Sequence, residues 1–338
     1  PALNGSALTN LPPTLTTGKN LIINGSFDVW QRGTSFAVSG YYQWWADRWL
    51  GDCINNSTFT VSKQSITGQP FSNCLRFQRN SGSTATSAYT RIGTTLETHD
   101  SKPHNGKTVT LSFYARKGAN YSPPAGNVRS YIRTGTGTDQ SSTTGLARGL
   151  TGNTDNYQDN ILTTSWVRFS HTYTLPANIT QIAIEFTTPT HLGTAGAADY
   201  FDISGVKLEV GSIATDLEPK RYAEVLRDCR RYYYAHVGPS AASDSLIARG
   251  AWNAATQFEA AIHFQENMRT TPTLATVGGT NYYRIHGRGT AVYVTSMAIH
   301  AQQPNAASVY AGVTGTLGLG GNFVVTNSNA YVHFNAEL

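Results

Sequence analysis

The sequence contains few charged residues. Asp, Glu, Lys and Arg make up 13% of its 338 residues, about half of the ~25% that is usual in globular proteins. It has no run of about 18 uncharged apolar residues, which argues against insertion in a membrane. Its 39% hydrophobic and 11% aromatic residues are too many for a disordered chain. Abundant Gly, Ser, Thr and Asn supply the polarity instead, which favours an all-β, extracellular protein.

Cysteine is also scarce. The chain has three cysteines, an odd number whose spacing matches neither a disulfide framework nor a zinc site. Cys53 and Cys74 could pair across neighbouring strands. Alternatively, all three cysteines are small buried thiols. Either arrangement is compatible with a chain that is long enough to bury a core without staples.

The positive charge is weak. The 25 Lys and Arg exceed the 20 Asp and Glu by 5, and they form no continuous basic stripe. The one dense group, Arg227, Arg230 and Arg231, falls on a predicted helix. A nucleic-acid partner is therefore not expected, and the net charge of +5 fits mild attraction to an anionic cell envelope.

Hydropathy patterns divide the chain into four parts. Residues 1–19 predict an extended connector, because Pro12-Pro13 excludes a helix there. Residues 20–212 show period-two alternation in short segments, which predicts a jelly-roll β-sandwich. Strands are expected near residues 21–23, 27–30, 58–62, 75–78, 109–115, 128–132, 166–173, 182–186 and 200–209. The polar stretch 134–161 predicts a long loop.

A single helix is predicted over residues 213–236. Asp216 would cap it, and an apolar stripe with helical spacing follows: Tyr222, Val225, Leu226, Cys229, Tyr232 and Tyr233. A helix this short needs a packing surface, which could be its own sandwich or other copies about a symmetry axis. Residues 237–338 then predict a smaller C-terminal β-sandwich, with strands near residues 258–264, 274–277, 291–294, 308–313 and 330–336.

Two sequence segments resemble modules of bacteriophage tail fibres. The first runs from Asn20 to Ser35 (NLIINGSFDVWQRGTS) and is followed by ADRW at 46–49. The second is VKLEVGSIAT at 206–215, followed by Glu218-Pro219 and the RRYY run at 230–233. The resemblance implies a homotrimeric receptor-binding protein of the virion's tail fibre. It also implies that the N-terminus joins other tail or baseplate proteins, and that the distal end binds a bacterial polysaccharide or outer-membrane receptor.

The chain also resembles carbohydrate-binding jelly rolls. In those modules an early acidic residue and a late Asp can hold a structural calcium, and Asp28 and Asp202 stand at the matching positions. Hard oxygen ligands would suit Ca²⁺. Ser204 replaces a second late Asp, which departs from the pattern. No other cofactor is expected.

Two aromatic groups are candidates for glycan binding, because sugar rings pack their C–H faces on aromatic rings. Trp45 and Trp49 are expected in the core. The candidate contacts are Tyr41, Tyr42 and Trp44 near the first motif, and Trp252, Tyr282, Tyr283, His286 and Arg288 in the C-terminal domain. Arg288 would capture a carboxylate or phosphate. The C-terminal tyrosines could instead line subunit contacts.

No catalytic constellation is apparent. Glu97, His99, Asp100 and His104 are expected in a solvated loop, and no nucleophile elbow or metal-binding motif occurs. The prediction is thus a non-enzymatic tail fibre protein that attaches to a host glycan. A tail-associated depolymerase and a purely structural fibre or baseplate component are the alternatives.

Overall fold

The computed structural model describes residues 19–38, 42–53, 59–84, 90–141, 149–238, 243–287 and 290–338. Within these residues the fold is almost entirely β, which confirms the all-β prediction. The strands are β1 (Ser35–Val38), β2 (Gln43–Trp44), β3 (Leu50–Cys53), β4 (Phe59–Ser65), β5 (Asn73–Arg79), β6 (Thr90–Thr95), β7 (Thr108–Lys117), β8 (Asn127–Gly135), β9 (Thr154–Ile161), β10 (Val167–Thr174), β11 (Gln181–Thr187), β12 (Tyr200–Val210), β13 (Tyr233–Val237), β14 (Ser245–Ala254), β15 (Gln257–His263), β16 (Thr273–Thr276), β17 (Tyr283–Gly287), β18 (Thr290–Val294), β19 (Ala298–Gln303), β20 (Ala306–Gly312), β21 (Gly320–Val325) and β22 (Val332–Asn335). The α-helices are α1 (Thr98–Ser101) and α2 (Tyr222–Arg230).

The chain divides into two compact units. The described residues of the first come from Pro1–Phe27, Ala37–Gln43 and Leu50–Pro219, and those of the second from Asp28–Phe36, Trp44–Trp49 and Lys220–Leu338. Residues 28–36 and 44–49, expected in the domain at 20–212, group with the C-terminal residues instead.

Two six-stranded sheets, ordered β1-β4-β5-β12-β7-β10 and β2-β3-β6-β11-β8-β9, have all of β3 to β12 in the first unit. Alternate side chains of each sheet face the other sheet. Phe113 on β7 and Phe186 on β11 meet edge to face at 4.8 Å, and both are fully buried. Burying a phenylalanine contributes about 1.5–3 kcal/mol, so such pairs hold the two sheets together.

Two strand expectations for residues 20–212 are wrong. Residues 21–23 and 27–30 form turns and irregular chain rather than strands. Residues 154–161, expected in a loop, form strand β9. This strand lies at a sheet edge and only Asn160 in it is buried, so it has no apolar alternation to reveal it.

The helix is shorter than predicted. Helix α2 begins at Tyr222, with Arg221 rather than Asp216 at the capping position. Val225 and Cys229 are its buried residues, whereas Tyr222 is exposed. The run from Tyr233 onwards continues as strand β13, because the chain turns from helical to extended backbone after the helix.

The second unit combines a three-stranded sheet, β13-β22-β16, with a seven-stranded sheet, β18-β17-β21-β14-β15-β20-β19. One apolar cluster contains residues of both sheets, as predicted for a small sandwich. Its largest members are Trp252, Phe258, Tyr283, Phe323 and Phe334. The two sheets therefore share a single core.

The ADRW part of the first motif has a structural role in the second unit. Trp45 and Trp49 are fully buried, as expected. Arg48 pairs with Glu337 in a buried contact, and its guanidinium lies 3.6 Å from the ring centre of Tyr232. This ion pair thus links two residues that are 289 positions apart in the chain.

The QRG part of the same motif supports this cluster. Asp47 accepts hydrogen bonds from the Gln31 backbone amide at 2.6 Å and from its side-chain amide at 2.8 Å. Arg32 lies 3.4 Å from the ring centre of Tyr233 and bonds Glu337 at 3.2 Å. These motif residues therefore stabilise the second unit.

The cysteines form no disulfide. Cys53, Cys74 and Cys229 are all buried thiols, so the Cys53–Cys74 bridge is not formed and the alternative of three buried thiols holds. Among the described residues, no helix is both long and apolar enough to cross a membrane.

Candidate functional site

One buried carboxylate holds two arginines on the outer side of a first-unit sheet. Asp202 on β12 is fully buried, and its two oxygens accept hydrogen bonds from Nε and Nη2 of Arg76 at 2.7 and 2.9 Å. Nε of Arg116 bonds the second of these oxygens at 2.9 Å. The bidentate contact of Arg76 is strong and directional, and Arg116 adds a single charge-assisted hydrogen bond, so both guanidinium groups are held in place.

Aromatic rings lie beside both arginines. The guanidinium of Arg76 is 3.6 Å from the ring centre of Tyr200, and that of Arg116 is 4.9 Å from the ring centre of Trp166. Both rings are half-buried. Each cation therefore stacks on a ring and keeps part of its edge accessible, with 22% of the Arg76 side chain and 27% of the Arg116 side chain exposed.

The aromatic surface extends along the sheet. Phe71 contacts Tyr114 and Trp166, with ring centres 5.2 and 5.3 Å apart, and Arg168 lies 5.9 Å from the ring centre of Tyr114. Arg168 also bonds the backbone oxygen of Thr215. We call the set of six residues Arg76, Arg116, Arg168, Tyr114, Trp166 and Tyr200 the arginine–aromatic face.

Strand register brings the charged members together. Asp202 stands opposite Arg76 on β5 and opposite Arg116 on β7. Its neighbours Phe201 and Ile203 point into the core, so Asp202 must point to the other side of the sheet. The same period places Tyr114 beside Arg116, two residues along β7.

The electrostatics keep Arg76 charged and the nearby Cys74 thiol neutral. Burial lowers the pKa of Arg76, but the hydrogen bonds and charge of Asp202 outweigh this and raise it above its usual value. Burial, and then the charge of Asp202, raise the pKa of the Cys74 thiol. Two cations and one carboxylate meet at this point, which leaves one net positive charge.

The expected calcium ligand Asp202 does not fit a metal site. Both of its oxygens already accept from guanidinium groups, and two cations beside the carboxylate would repel Ca²⁺. Asp28 is half-buried and belongs to the second unit. Among the described residues, no group of three or more His, Cys, Asp or Glu could hold a metal ion.

The first group of predicted glycan contacts is described only in part. Tyr41 lies outside the described residues. Tyr42 is half-buried in the first unit. Trp44 is half-buried in the second unit, where Arg32 lies 5.5 Å from its ring centre.

Two of the C-terminal candidates are core residues. Trp252 and Tyr283 are buried, so their ring faces are not available to a sugar. Trp252 donates from Nε1 to the backbone oxygen of Val313 at 3.1 Å, and the Tyr283 hydroxyl donates to that of Val277 at 2.7 Å. Such buried polar tips find backbone partners, so we correct both assignments.

Of the remaining C-terminal candidates, the two that the structure describes, Tyr282 and His286, are half-buried. Tyr282 is half-buried and packs against the core of the second unit. His286 is half-buried on β17, opposite Ala291 and Asn322. Arg288 lies outside the described residues.

The acidic and histidine group near residue 100 is more ordered than expected. Residues 98–101 form α1 and Lys102–His104 form a 3-10 helix, and Glu97 is buried. Burial, followed by the nearby charge of Lys107, lowers the pKa of His104. The segment is therefore helical rather than a loop, although His99 and Asp100 are exposed to solvent as expected.

Sequence reasoning missed all members of the arginine–aromatic face. Strands were predicted near all of them, and Arg76, Tyr114 and Arg168 each lie between two apolar neighbours. The alternation of inward and outward side chains along each strand indicates which residues point away from the core. It could identify a shared face only if the strand order β5-β12-β7-β10 had been known.

Several solved structures are similar in backbone shape. An enzymatically active domain of tailspike protein 4 from bacteriophage CBA120 matches with a TM-score of 0.39 and 13% identity, covering 57% of this chain and 21% of that chain. The module TmCBM61 in complex with β-1,4-galactotriose matches with a TM-score of 0.33 and 11% identity, covering 57% of this chain and 100% of that chain. The xylan-binding domain CBM22-1 of Paenibacillus barcinonensis Xyn10C matches with a TM-score of 0.35 and 13% identity, covering 59% of this chain and 99% of that chain. No protein-family model and no curated protein matches the chain.

Proposed function

We propose that the protein is a bacteriophage tail fibre component whose first unit binds a glycan on the host cell through the arginine–aromatic face. The observation that carries the proposal is the pair of arginines fixed by Asp202 beside the rings of Tyr200 and Trp166. Half-buried rings offer apolar surface to the C–H groups of a sugar. Fixed guanidinium groups offer hydrogen-bond donors to its oxygens.

The assignment to a tail fibre rests on the sequence motifs at 20–35, 46–49 and 206–215. With it we propose a homotrimer on the virion, joined to other tail or baseplate proteins through the N-terminal connector. Several weak sites on one particle would then act together, because linked sites bind at high effective concentration. Sedimentation of the full chain tests the trimer, and a monomer at micromolar concentration would contradict it.

We also propose that binding occurs without cleavage. Glycosidases generally use two carboxylates that flank the scissile bond. At the arginine–aromatic face Asp202 is buried and held by two cations, and Asp216 pairs with Arg168, so both carboxylates are engaged by arginines. Incubation with host polysaccharide should release no new reducing ends, and their appearance would support the depolymerase alternative.

The binding proposal is tested by variants of two exposed or half-buried aromatic residues on different sheets. Trp166→Ala removes a ring of the proposed face. Tyr157→Ala removes a tyrosine of β9 that is 55% exposed on the other sheet. Host-cell adsorption and a glycan array should show a loss for the first variant and not for the second.

The outcomes separate the alternatives. Because Trp166 packs on Phe71, the melting temperature of each variant is measured, and Tyr200→Ala provides a second test of the face. Loss with Tyr157→Ala alone would move the site to the other sheet. Unchanged adsorption in all three variants would favour a purely structural fibre component.

A further inference from the structure

We infer that the arginine–aromatic face selects sugars that carry an anionic group, namely a carboxylate or a phosphate. This inference rests on the proposed glycan binding and adds the chemical class of the sugar. It follows from the charges on the face, from the free donors of Arg116, and from a contrast with the other sheet of the same unit.

The charges on the face do not cancel. Asp202 is fully buried, so a ligand meets the edges of Arg76 and Arg116 rather than the carboxylate between them. Arg168 lies 3.5 Å from Asp216, whose side chain is fully exposed to water. An exposed partner of this kind contributes little. The buried pair formed by Lys207 and Glu209 adds no net charge.

Arg116 retains hydrogen-bond donors for a ligand. Its Nε is used by Asp202, and within the described part of the chain neither of its Nη atoms donates to a protein acceptor. The planar fork of an arginine matches the two oxygens of a carboxylate or phosphate. Since its orientation is already fixed by Asp202 and Trp166, little side-chain freedom is lost on binding.

On the outer face of the other sheet, the carboxylates outnumber the arginines that pair with them. Arg129 pairs with Asp159 there, and Arg133 pairs with both Asp155 and Glu185. Three carboxylates thus meet two arginines, and an anion would be repelled. The positive balance is therefore specific to the arginine–aromatic face, and Arg129 provides a matched control.

The test uses a charged ligand and its neutral counterpart. Binding of the full chain to oligogalacturonate is measured by calorimetry, together with the carboxyl-reduced form of the same oligosaccharide and a poly(glycerol phosphate). We expect the acidic forms to bind at least ten-fold more tightly than the reduced form. Because the attraction is between charges, this preference should shrink between 50 and 500 mM salt.

Variants identify the residue responsible. Arg116→Gln leaves Asp202 paired with Arg76, so the fold should persist. It should bring acidic and reduced forms within about two-fold of each other, whereas Arg129→Gln should leave the ten-fold preference intact. Binding of oligogalacturonate alone would assign a carboxylate, and binding of poly(glycerol phosphate) alone would assign a phosphate.

Two results would overturn the inference in distinguishable ways. Equal binding of acidic and reduced forms, with loss in Trp166→Ala, would refute the anionic preference and leave the proposed glycan binding intact. If Trp166→Ala changes neither binding to the glycan array nor adsorption to host cells, the proposed function is refuted as well.

Discussion

The guanidinium of Arg76 holds both oxygens of Asp202 from the neighbouring strand, at 2.7 and 2.9 Å. The two residues are separated by 126 positions in the chain and are exact partners in the antiparallel register of β5 and β12. Arg116 completes the group from the opposite side. A single carboxylate therefore sets the position of two cations on the sheet.

Replacing Asp202 by Asn should destabilise the chain. Breaking a buried ion pair costs roughly 3–5 kcal/mol, but both arginines keep some contact with water, so we expect about 1–3 kcal/mol. Urea unfolding measures this loss. The control is Asp159→Asn, whose partner Arg129 and own carboxylate are both more than one third exposed. Its cost should stay below about 1 kcal/mol, and equal costs would contradict the special role of Asp202.

Calcium should have no effect on stability through Asp202. A ligand that binds the native state raises the melting temperature with its concentration, whereas Asp202 is already saturated by guanidinium donors. Thermal unfolding in 5–10 mM EDTA and in excess Ca²⁺ should therefore give the same midpoint, where ~10 mM would saturate a typical extracellular site. A saturable rise with Ca²⁺ that disappears in Asp202→Asn would contradict this expectation.

Local patterns predicted much of the fold, because alternation shows a strand wherever one face is buried. This is why β7, β11 and β12 were found. The same rule failed for β9, which is polar on both faces. The site required more than local patterns: Arg116 and Asp202 are 86 residues apart, and strand order between such distant segments is not encoded in either segment alone.

The C-terminal aromatic residues show a related limit. Trp252 stands among small and polar residues, which give no local sign of its burial, so the sequence favours a glycan contact there. Trp252 is buried partly because Gly315, 63 positions later, has no side chain. The motif residue Arg48 likewise reveals its role only through Glu337. Long-range packing, rather than composition, decides both cases.

Gly315→Ala should destabilise the second unit. A Cβ atom at this position would come within 2.1 Å of the Trp252 ring, so the tryptophan or the backbone must shift. Overpacking of this kind costs typically 1–3 kcal/mol. The matched control is Gly312→Ala, where a Cβ atom would have no neighbour within 4 Å. Thermal unfolding should show a lower midpoint for the first variant and little change for the second; similar midpoints would contradict the packing argument.

Two buried groups of the second unit give the stability opposite pH dependences. Burial raises the pKa of Asp47 to about 6, against the opposing charge of Arg32. The folded state therefore binds more protons than the unfolded state between about pH 4 and 6, and this group lowers the stability as the pH rises through that range. Burial, and then the charge of Arg32, lower the pKa of His333 to about 4. This group lowers the stability as the pH falls from about 6.5 to 4.

Single variants should separate the two effects. Relative to the parent chain, Asp47→Asn should lose stability more steeply as the pH falls from 6 to 4, because the compensating uptake of a proton is gone. His333→Gln should lose it less steeply, or gain stability, over the same range. Each variant should change the difference in unfolding free energy between pH 6 and pH 4 by an amount on the order of 2–3 kcal/mol, since one pKa unit corresponds to about 1.4 kcal/mol. Urea unfolding at four pH values measures it, and parallel curves for the parent and both variants would contradict the assignment.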